Sequence, residues 1–479
     1  MIDVPFCGQS YNMDVLDISA QRSINLYVEG YSDQNTKSPL TLRPTHGLLA
    51  WALLGGAQQI RGLYLASDNQ FFSVQGKRVE TVATTGTPTF RFNLSTGDLP
   101  GSSTIVRMAD NGTKLLIADG TTNAYTWNLS TSTATQITDA DYPGGSFCGI
   151  LDGFYIVNDP GTLFAYYSTL DDPTDWPTAN TITKESTTDY ITALIVHNGK
   201  LWIFGSQSME IHYNTGISTQ QFLRVPGSEK SIGIEAPDSL SQDGESVYWL
   251  GSNDTGFGKV YMSQGYEPVK ISTIPIERAI NGYTTTNDAE GLTFQQDGHA
   301  FYQLTFPSEN KTWVYDKSTG MWHEKLYRNP LTSVDERHRA RVQGFFNGNN
   351  YFGDWANNQV YEVSQSTYTD DGDTIIRTRI GPTEWQAQER LFYGAFQLDI
   401  GNGVGLATGQ GSDPKMRLSW SDDGGHTFSD PRLIDLGKIG EYTTRVRETR
   451  LGASRERVWK VECSEPIDFN ILSAQVEFA

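Results

Sequence analysis

The sequence predicts an all-β protein, in which a six- or seven-bladed β-propeller is followed by a C-terminal antiparallel β domain. A tight-turn dipeptide followed by an apolar strand recurs at intervals of 41 to 54 residues. The 47 glycines, 23 tyrosines, 22 phenylalanines and 11 tryptophans among 479 residues favour short strands joined by tight turns. No long stretch has the apolar periodicity of a helix. A repeat of this length has the size of one four-stranded propeller blade.

The repeated dipeptide is Asn-Gly or Asp-Gly, which suits a type I′ hairpin turn because both central residues take positive φ. A degenerate first copy, Asp68-Asn69, is followed by Asn111-Gly112, Asp152-Gly153, Asn198-Gly199, Asp243-Gly244, Asp297-Gly298 and Asn347-Gly348. The strands that follow are apolar almost throughout, which indicates burial on both faces between neighbouring sheets. A second hairpin, such as Trp313 to Trp322, completes a four-stranded unit. The alternative, an ordinary β-sandwich with coincidental turns, does not require this period.

The repeat divides the chain into three parts. Residues 1–55 precede it and form an N-terminal arm with a ring-closing strand, residues 56–368 form the propeller, and residues 369–479 form a β-sandwich-like domain. A polar boundary, Tyr368 to Asp373, separates the last two parts.

The formal charge of −20 excludes a protein built to hold nucleic acid by its phosphates or to sit on an anionic membrane. Three widely spaced cysteines, Cys7, Cys148 and Cys463, make neither a disulfide framework nor a zinc site, so we expect free thiols. The N-terminus lacks a signal-peptide pattern, and the most apolar stretch, Leu48 to Ala57, is too short to span a bilayer. We therefore expect synthesis in the cytoplasm and no membrane anchor.

One segment of the C-terminal part, Ser421 to Phe428, fits the pattern S-x-D-x-G-x-T-[FW] and resembles the Asp-box of sialidases. Its predicted role is structural, because Asp and Ser side chains can bind local backbone groups in a hairpin turn. The residues concerned are Ser421, Asp423, Gly425, Thr427 and Phe428. The motif also raises an alternative function, a carbohydrate-active (sialidase-like) or glycan-binding propeller, although only one clear copy is present and it lies outside the repeats.

No catalytic, cofactor-binding or metal-binding residues are predicted. The seven histidines form no HExxH pattern, and His299 and His323 are expected to be core or turn groups. A P-loop, a GxSxG motif and a dinucleotide-binding turn are absent from the sequence. Asp371 to Asp373 and Asn253-Asp254 are weak calcium candidates, but ordinary loop solvation explains them better.

A basic stretch interrupts the acidic background near the C-terminus. Its cations outnumber its carboxylates by four, and they are Arg445, Arg447, Arg450, Arg455, Arg457 and Lys460. Two interpretations remain open, a solvated pair of strands or a docking face for an acidic partner.

The segment Gln21 to Glu29 is similar to the N-terminal signature R-x-[IV]-N-L-Y-x-E of the packaged-DNA stabilisation proteins of short-tailed bacteriophages. The matching residues are Arg22, Asn25, Leu26, Tyr27 and Glu29. Leu42 to Leu48 lies where that family has L-x-x-T-P-G-L; Gly47 is kept and His46 replaces the proline. Gly344 to Asp354, which includes Gly353 and Asp354, resembles the family's final-blade segment.

This resemblance implies a structural virion protein without enzymatic activity, made in the host cytoplasm and placed in the virion tail. Family members form a homohexameric hub, or nozzle, below the portal. The resemblance implies that the chain extends the portal channel, retains packaged DNA, anchors tailspikes or fibres and a tail needle, and conducts DNA at ejection. The implied partners are further copies of the chain, the portal or adaptor ring, the spike or fibre, the needle, and DNA only in passage. The polar segment Tyr31 to Ser38 is a candidate for ordering during assembly.

Overall fold

The computed structural model of the chain describes residues 1–31, 38–94, 104–253, 256–387 and 389–478. Within these ranges the regular secondary structure is nearly all strand, as predicted, with one α-helix (α1, Ile274–Asn281) and one 3-10 helix (Pro237–Ser239). The N-terminal strands are β1 (Ile2–Val4), β2 (Tyr11–Asn12), β3 (Ala20–Ile24), β4 (Leu26–Gly30), β5 (Leu40–Pro44) and β6 (Gly47–Leu53).

Seven antiparallel sheets built on a four-strand plan follow one another in the described residues. Blade 1 is β7 (Ile60–Leu65), β8 (Phe71–Gln75), β9 (Arg78–Val82) and β10 (Pro88–Asn93). Blade 2 is β11 (Arg107–Asp110), β12 (Lys114–Ala118), β13 (Ala124–Asn128) and β14 (Thr133–Gln136). Blade 3 is β15 (Cys148–Leu151), β16 (Phe154–Asn158), β17 (Phe164–Tyr167) and β18 (Thr181–Thr183). Blade 4 is β19 (Ile191–His197), β20 (Lys200–Gly205), β21 (Met209–Asn214) and β22 (Phe222–Arg224).

The fifth blade has a split inner strand, and the seventh borrows its outer strand from the N-terminal part. Blade 5 is β23 (Gly233–Ile234) and β24 (Ser241–Gln242), both on β25 (Val247–Asn253), then β26 (Gly256–Gln264) and β27 (Glu267–Lys270). Blade 6 is β28 (Glu290–Gln296), β29 (His299–Phe306), β30 (Lys311–Asp316) and β31 (Met321–Glu324). A hairpin of β32 (Leu326–Arg328) and β33 (Asp335–Arg337) leads to blade 7, which is β34 (Ala340–Phe346), β35 (Asn349–Asp354), β36 (Gln359–Ser364) and β6.

These sheets form a closed ring. Most blades contact the next through their inner strands, blade 4 contacts blade 5 through β20 and β23, and β34 of blade 7 contacts β7 of blade 1. β6 pairs antiparallel with β36, from Leu53 opposite Gln359 to Gly47 opposite Ser364. The ring is therefore closed by strand pairing between the start and the end of the repeat region, which protects both edges.

The hairpin turns follow the predicted type I′ geometry at four of the six Asn-Gly or Asp-Gly sites. Both residues have positive φ at Asp152-Gly153, Asn198-Gly199, Asp297-Gly298 and Asn347-Gly348. The prediction is wrong at Asn111-Gly112 and Asp243-Gly244, where only the glycine has positive φ. There the first side chain accepts hydrogen bonds from two downstream backbone amides, which makes an Asx turn instead.

The C-terminal domain is a two-sheet sandwich entered through β37 (Thr369–Asp370) and β38 (Asp373–Thr374). Its strands are β39 (Arg377–Trp385), β40 (Leu391–Ile400), β41 (Lys415–Ser421), β42 (Arg432–Asp435), β43 (Val446–Thr449), β44 (Ala453–Ser454), β45 (Glu456–Cys463) and β46 (Ile471–Phe478). One sheet has the order β4-β5-β46-β40-β43, and the other has β3-β39-β45-β41-β42. The structure thus divides residues 1–55 between the domains, because β1 to β5 belong to the sandwich and β6 belongs to the propeller.

Candidate functional site

The N-terminal signature lies where the propeller meets the sandwich. On β4, Leu26 and Val28 are buried in the sandwich core. Tyr27, between them, is buried in a propeller core beside Phe294 and Phe301. Because successive side chains of a strand point to opposite faces, one strand contributes to both cores. The signature strand is therefore the wall that the two domains share.

Arg22 and Glu324 connect the same two domains by an ion pair. Arg22 lies on β3 of the sandwich, and Glu324 ends β31 of blade 6. The guanidinium Nε and Nη2 donate to the two carboxylate oxygens at 2.9 and 2.5 Å, and Glu324 is buried. A bidentate pair of this kind fixes orientation as well as distance. Beside it, Ile24 of β3 pairs with Glu324 in parallel, so one sheet continues from blade 6 into the sandwich.

Asn25 joins three segments of the chain. Its backbone has φ of 55°, a left-handed conformation that asparagine tolerates better than most residues. Its side-chain amide donates to the carbonyls of Leu326 (3.0 Å) and Ile376 (2.9 Å), and its side-chain oxygen accepts from the Leu326 amide (2.9 Å). Asparagine suits this position because one side chain supplies both a donor and an acceptor.

Histidines surround the ring of Tyr27. The ring centroid of Tyr27 lies 6.4 Å from that of His46, 5.2 Å from that of His299 and 6.3 Å from that of His323. His299 lies 2.8 Å from Asp316, which raises the pKa of His299, whereas burial lowers the pKa of His323 to about 3. These two histidines are thus buried groups of blade strands.

A cavity of about 360 Å³ opens beside this cluster, between the propeller and the sandwich. Its lining includes Tyr27, Arg43, His46 and Asp468. His46, which stands where the family has proline, lies 2.6 Å from Asp297 in the turn of blade 6. Glu29, the last signature residue, accepts from Arg43 at 2.9 Å. His46 therefore contacts blade 6 across the joint, whereas Arg43 and Glu29 pair within the β4–β5 hairpin.

Two glycines of the other family-like segments, Gly47 and Gly353, lie where the chain packs too closely for a side chain. A Cβ at Gly47 would lie 2.3 Å from the carbonyl oxygen of Thr369, and one at Gly353 would lie 2.7 Å from a methyl carbon of Ile60. Asp354 is fully buried and accepts hydrogen bonds from Arg339 (3.0 Å) and from the Tyr361 hydroxyl (2.9 Å). These residues therefore stabilise the packing of blade 7 where the ring closes.

A buried lysine and aspartate at the same joint had no signal in the sequence. Lys325 follows β31 directly and lies over the rings of Phe294 (5.7 Å) and Phe352 (5.8 Å). Burial lowers the pKa of Lys325 to about 8 and raises that of Asp370 to about 6. In the sequence, Lys325 and Asp370 look like ordinary polar residues at strand ends. The fold removes both ionisable groups from water.

Charged side chains close the axis of the propeller. Arg107 of blade 2 donates to Asp238 of blade 5 at 3.0 Å, next to a cavity of about 180 Å³. Arg341 of blade 7 also lines this cavity and donates to Glu290 at 2.9 Å. Arginines from two blades thus converge, as a sialidase-like pocket would need, but each faces a carboxylate. The cavity is far too small for a nucleic-acid strand.

The Asp-box segment forms the turn between β41 and β42. Asp423 accepts hydrogen bonds from the Thr427 amide (2.9 Å) and hydroxyl (2.5 Å), and Ser421 accepts from the Gly425 amide (2.8 Å). Hydrogen bonds from Ser421 and Thr427 hold the pKa of Asp423 well below its usual range. Phe428 packs beside the small cluster of Ala20, Ile380 and Val458. These hydrogen bonds stabilise a hairpin turn in the sandwich. Nothing in the described residues favours a carbohydrate-active site.

The six cations of the basic stretch do not all lie on one surface, and the docking face for an acidic partner stays a prediction. Arg457 is only 1% exposed: it bonds Asp422 through two nitrogens (2.7 and 2.8 Å) and stacks on the ring of Tyr393. It therefore belongs to the core. Arg447 on β43 and Lys460 on β45 lie in different sheets and pair with Glu477 and Glu462. The exposed cations of the stretch are Arg445, Arg447, Arg450 and Arg455.

The described part of the chain contains no group of three or more His, Cys, Asp or Glu side chains placed to hold a metal ion. Asp371 and Asp373 lie at the turn between β37 and β38, where Asp373 accepts from the Tyr327 hydroxyl. The calcium candidate at Asp254 and residues 32–37 of the polar segment lie outside the described residues. Cys7, Cys148 and Cys463 are free thiols. None of the helices in the described ranges has the length and apolar character to span a bilayer.

Comparison with known proteins matches both parts of the chain to one family. A family model described as "Bacteriophage P22 Gp10, beta-propeller" matches residues 6–368, and one described as "Bacteriophage P22 Gp10, beta-sandwich" matches residues 380–479. No curated protein matches the chain.

A solved structure, the extracellular domain of a hybrid two-component system from B. thetaiotaomicron, has a TM-score of 0.45 and 9% identity over 75% of this chain. The chain spans 45% of that protein's length, and a likeness this distant carries no argument about function. The two family matches together cover most of the sequence. The chain therefore belongs to the Gp10 family of packaged-DNA stabilisation proteins, the tail structural proteins of short-tailed bacteriophages.

Proposed function

We propose that this chain is the subunit of a ring-shaped tail hub without enzymatic activity. The hub extends the portal channel, retains packaged DNA, anchors tail fibres or spikes and the needle, and conducts DNA at ejection. The observation that carries this proposal is the match of propeller and sandwich to one tail-protein family, over residues 6–368 and 380–479.

The joint between the domains supports a hub because it makes one rigid body. A single sheet runs from blade 6 into the sandwich through β31 and β3. Leu26 and Tyr27 share one strand between two cores, and Arg22 and Glu324 brace it. A subunit that must hold several partners at fixed positions needs such a joint, since domain motion is otherwise the default.

The closed propeller axis bears on the route of DNA. The Arg107–Asp238 pair and the small cavity beside it leave no passage through one subunit. In the proposed hub, DNA therefore passes between copies arranged around a common axis.

The charge distribution suits a channel wall on one side of the ring. Blades 2 to 4, residues 107–224, contain twelve Asp and Glu, three Lys and two Arg, a net charge of −7. Lys184 is buried against Asp189, so it does not offset the exposed carboxylates. Because carboxylates repel phosphates, we assign this acidic arc, blades 2 to 4, to the DNA side of the hub.

A phage that lacks this chain tests the proposal. Its heads should fill with DNA and then lose it, because packaging precedes closure by the hub. Stable retention of DNA in such particles would reject the stabilising role.

A further inference from the structure

An unoccupied groove lies at one end of the sandwich. Its volume is about 610 Å³, and its lining includes Ile18, Trp385, Asp17 and Glu456. Ile18 is 63% exposed and Trp385 is 65% exposed, which is unusual for side chains of this size. The residues that line the groove include two carboxylates and no cation. We call these four residues and the space between them the groove.

The sequence builds the groove from rigid parts. Trp385 ends β39 and lies opposite Glu456 on β45. The wall that carries Asp17 and Ile18 rests on the Asp-box turn: a Cβ at Gly424 would lie 2.0 Å from a carboxylate oxygen of Asp17. The wall and the Asp-box turn are therefore in close contact at Gly424.

A loop with exposed apolar side chains lies between β42 and β43, at residues 436–445. Ile439 is 60% exposed and Tyr442 is 73% exposed, and the loop also carries Lys438, Glu441 and Arg445, a net charge of +1. The Gly440 amide donates to the carbonyl of Gly403 at 3.2 Å, so the loop is tied to the neighbouring loop. We call Lys438, Ile439, Tyr442 and Arg445 the knob.

The knob and the groove lie at opposite ends of the same domain. Asp435, just before the knob, pairs with Lys415 at the start of β41. Ser421, at the other end of β41, pairs with Val458, two residues from Glu456 of the groove. A strand of this length spans roughly 20 Å, so the two cannot meet within one chain.

We propose that the knob of one copy docks in the groove of the next copy. Ile439 and Tyr442 bury their apolar surface against Ile18 and Trp385. Lys438 and Arg445 face the carboxylates of Asp17 and Glu456, which gives the contact its direction. Because knob and groove are different surfaces, the contact is heterologous, and its repetition closes a ring when the rotation allows. The inference deepens the proposed function, and it rests on that function only for the closure of the ring.

Two half-defective variants test the interface by mixing. The knob variant is Ile439→Ser with Tyr442→Ser, and the groove variant is Ile18→Ser with Trp385→Ser. Each variant alone should remain monomeric in sedimentation velocity, with self-association weakened about thirtyfold or more, since buried aromatic anchors dominate interfaces. Mixed together they should form a one-to-one dimer that grows no further, because one intact knob meets one intact groove. That dimer also shows that both variants are folded.

A matched control removes exposed apolar side chains elsewhere. Leu331 is 94% exposed and Val334 is 54% exposed at the tip of the β32–β33 hairpin, and their replacement by serine should leave assembly unchanged. The proposal is overturned if the wild-type chain stays monomeric at high concentration, if either variant alone still assembles, or if the mixture gives no dimer. Binding of the chain to isolated portal rings is measured in parallel. If the chain binds the portal but the mixed variants form no dimer, the hub function stands and this interface is rejected. If the variants form the dimer but the chain does not bind the portal, the interface stands and the hub function is rejected.

Discussion

Leu26 and Tyr27, adjacent in the sequence, are buried in two different hydrophobic cores. Leu26 packs among the strands of the sandwich, and Tyr27 packs among the aromatic rings of blades 6 and 7. Neither domain can turn relative to the other without exposing one of these side chains. The joint is therefore held by burial as well as by the Arg22–Glu324 pair.

Replacing Arg22 by alanine should lower the free energy of unfolding by about 3 kcal/mol, because Glu324 is left buried without its partner. Urea unfolding of the wild type and the variant measures this difference. Arg43→Ala is the matched control: it breaks the half-exposed pair with Glu29 and should cost less than about 1 kcal/mol. Equal losses in the two variants would mean that the Arg22 pair does not brace the joint.

Gly47→Ala should destabilise the chain by about 2 kcal/mol or more, because the new Cβ meets the carbonyl of Thr369 at 2.3 Å where β6 closes the ring. Thermal unfolding followed by circular dichroism measures it. Gly30→Ala serves as the control, since a Cβ there has no neighbour closer than 3.7 Å and should change stability by less than about 0.5 kcal/mol. A harmless Gly47→Ala would contradict the packing argument.

Glu384 should make stability depend on pH between about 4.5 and 7. Its carboxylate oxygens are buried and lack a hydrogen bond of good geometry. Burial raises its pKa to about 7, although the nearby indole of Trp459 and guanidinium of Arg457 oppose the rise. The folded state then holds a proton that the unfolded state has released, so this group's contribution is full below pH 4.5 and is lost as the pH rises to 7.

Glu384→Gln should remove that dependence and raise the free energy of unfolding at pH 8 by up to about 3 kcal/mol relative to wild type. Urea unfolding of both proteins at pH 5 and pH 8 gives the comparison. A difference between the two proteins that stays the same at both pH values would contradict the assignment.

The three thiols should be poorly reactive in the folded chain. Burial raises the pKa of Cys7 and of Cys463 to about 11 and that of Cys148 to about 12, so little of the nucleophilic thiolate exists at pH 8. Alkylation followed by mass spectrometry should show modification at least about tenfold slower in the native chain than in urea. Rapid labelling of any one cysteine in the native chain would show that its environment is open.

Reversing charge on the acidic arc should make the hub retain DNA. The variant Asp141→Lys, Asp175→Lys and Glu185→Lys changes exposed residues in the loop within blade 3 and in the links on either side of it. We expect slower DNA ejection from particles that carry it, with the delay relieved by salt, since lysine–phosphate contacts depend on counterion release. The same reversal at Asp68, Glu389 and Asp430, exposed residues outside the arc, should leave ejection unchanged. Equal effects of the two variants would place the DNA path elsewhere.

The blades could be predicted from sequence because their signals are local. A positive-φ dipeptide such as Asp297-Gly298 and the apolar strand after it lie within about ten residues of each other. The sharing of residues 1–55 between two domains could not be predicted in this way, since Ile24 pairs with Glu324 and with Thr378, far along the chain. Local periodicity carries no information about partners at that distance.

The candidate sites were predictable only in part, for similar reasons. The hairpin of the Asp-box is encoded within eight residues, so its form could be predicted. Arg457 had an unused signal: on β45 it shares a face with Trp459 and Val461, which a period of two places in the core. The groove at Trp385 has no sequence signal, because its walls come from separate segments.

Images of this chain assembled on isolated portal rings test the central claim most directly. The account predicts a six-fold annulus with an open centre between copies, in which the propeller axes stand apart from the symmetry axis. Free monomers beside bare portal rings, or an annulus whose passage runs through the propellers themselves, would contradict it.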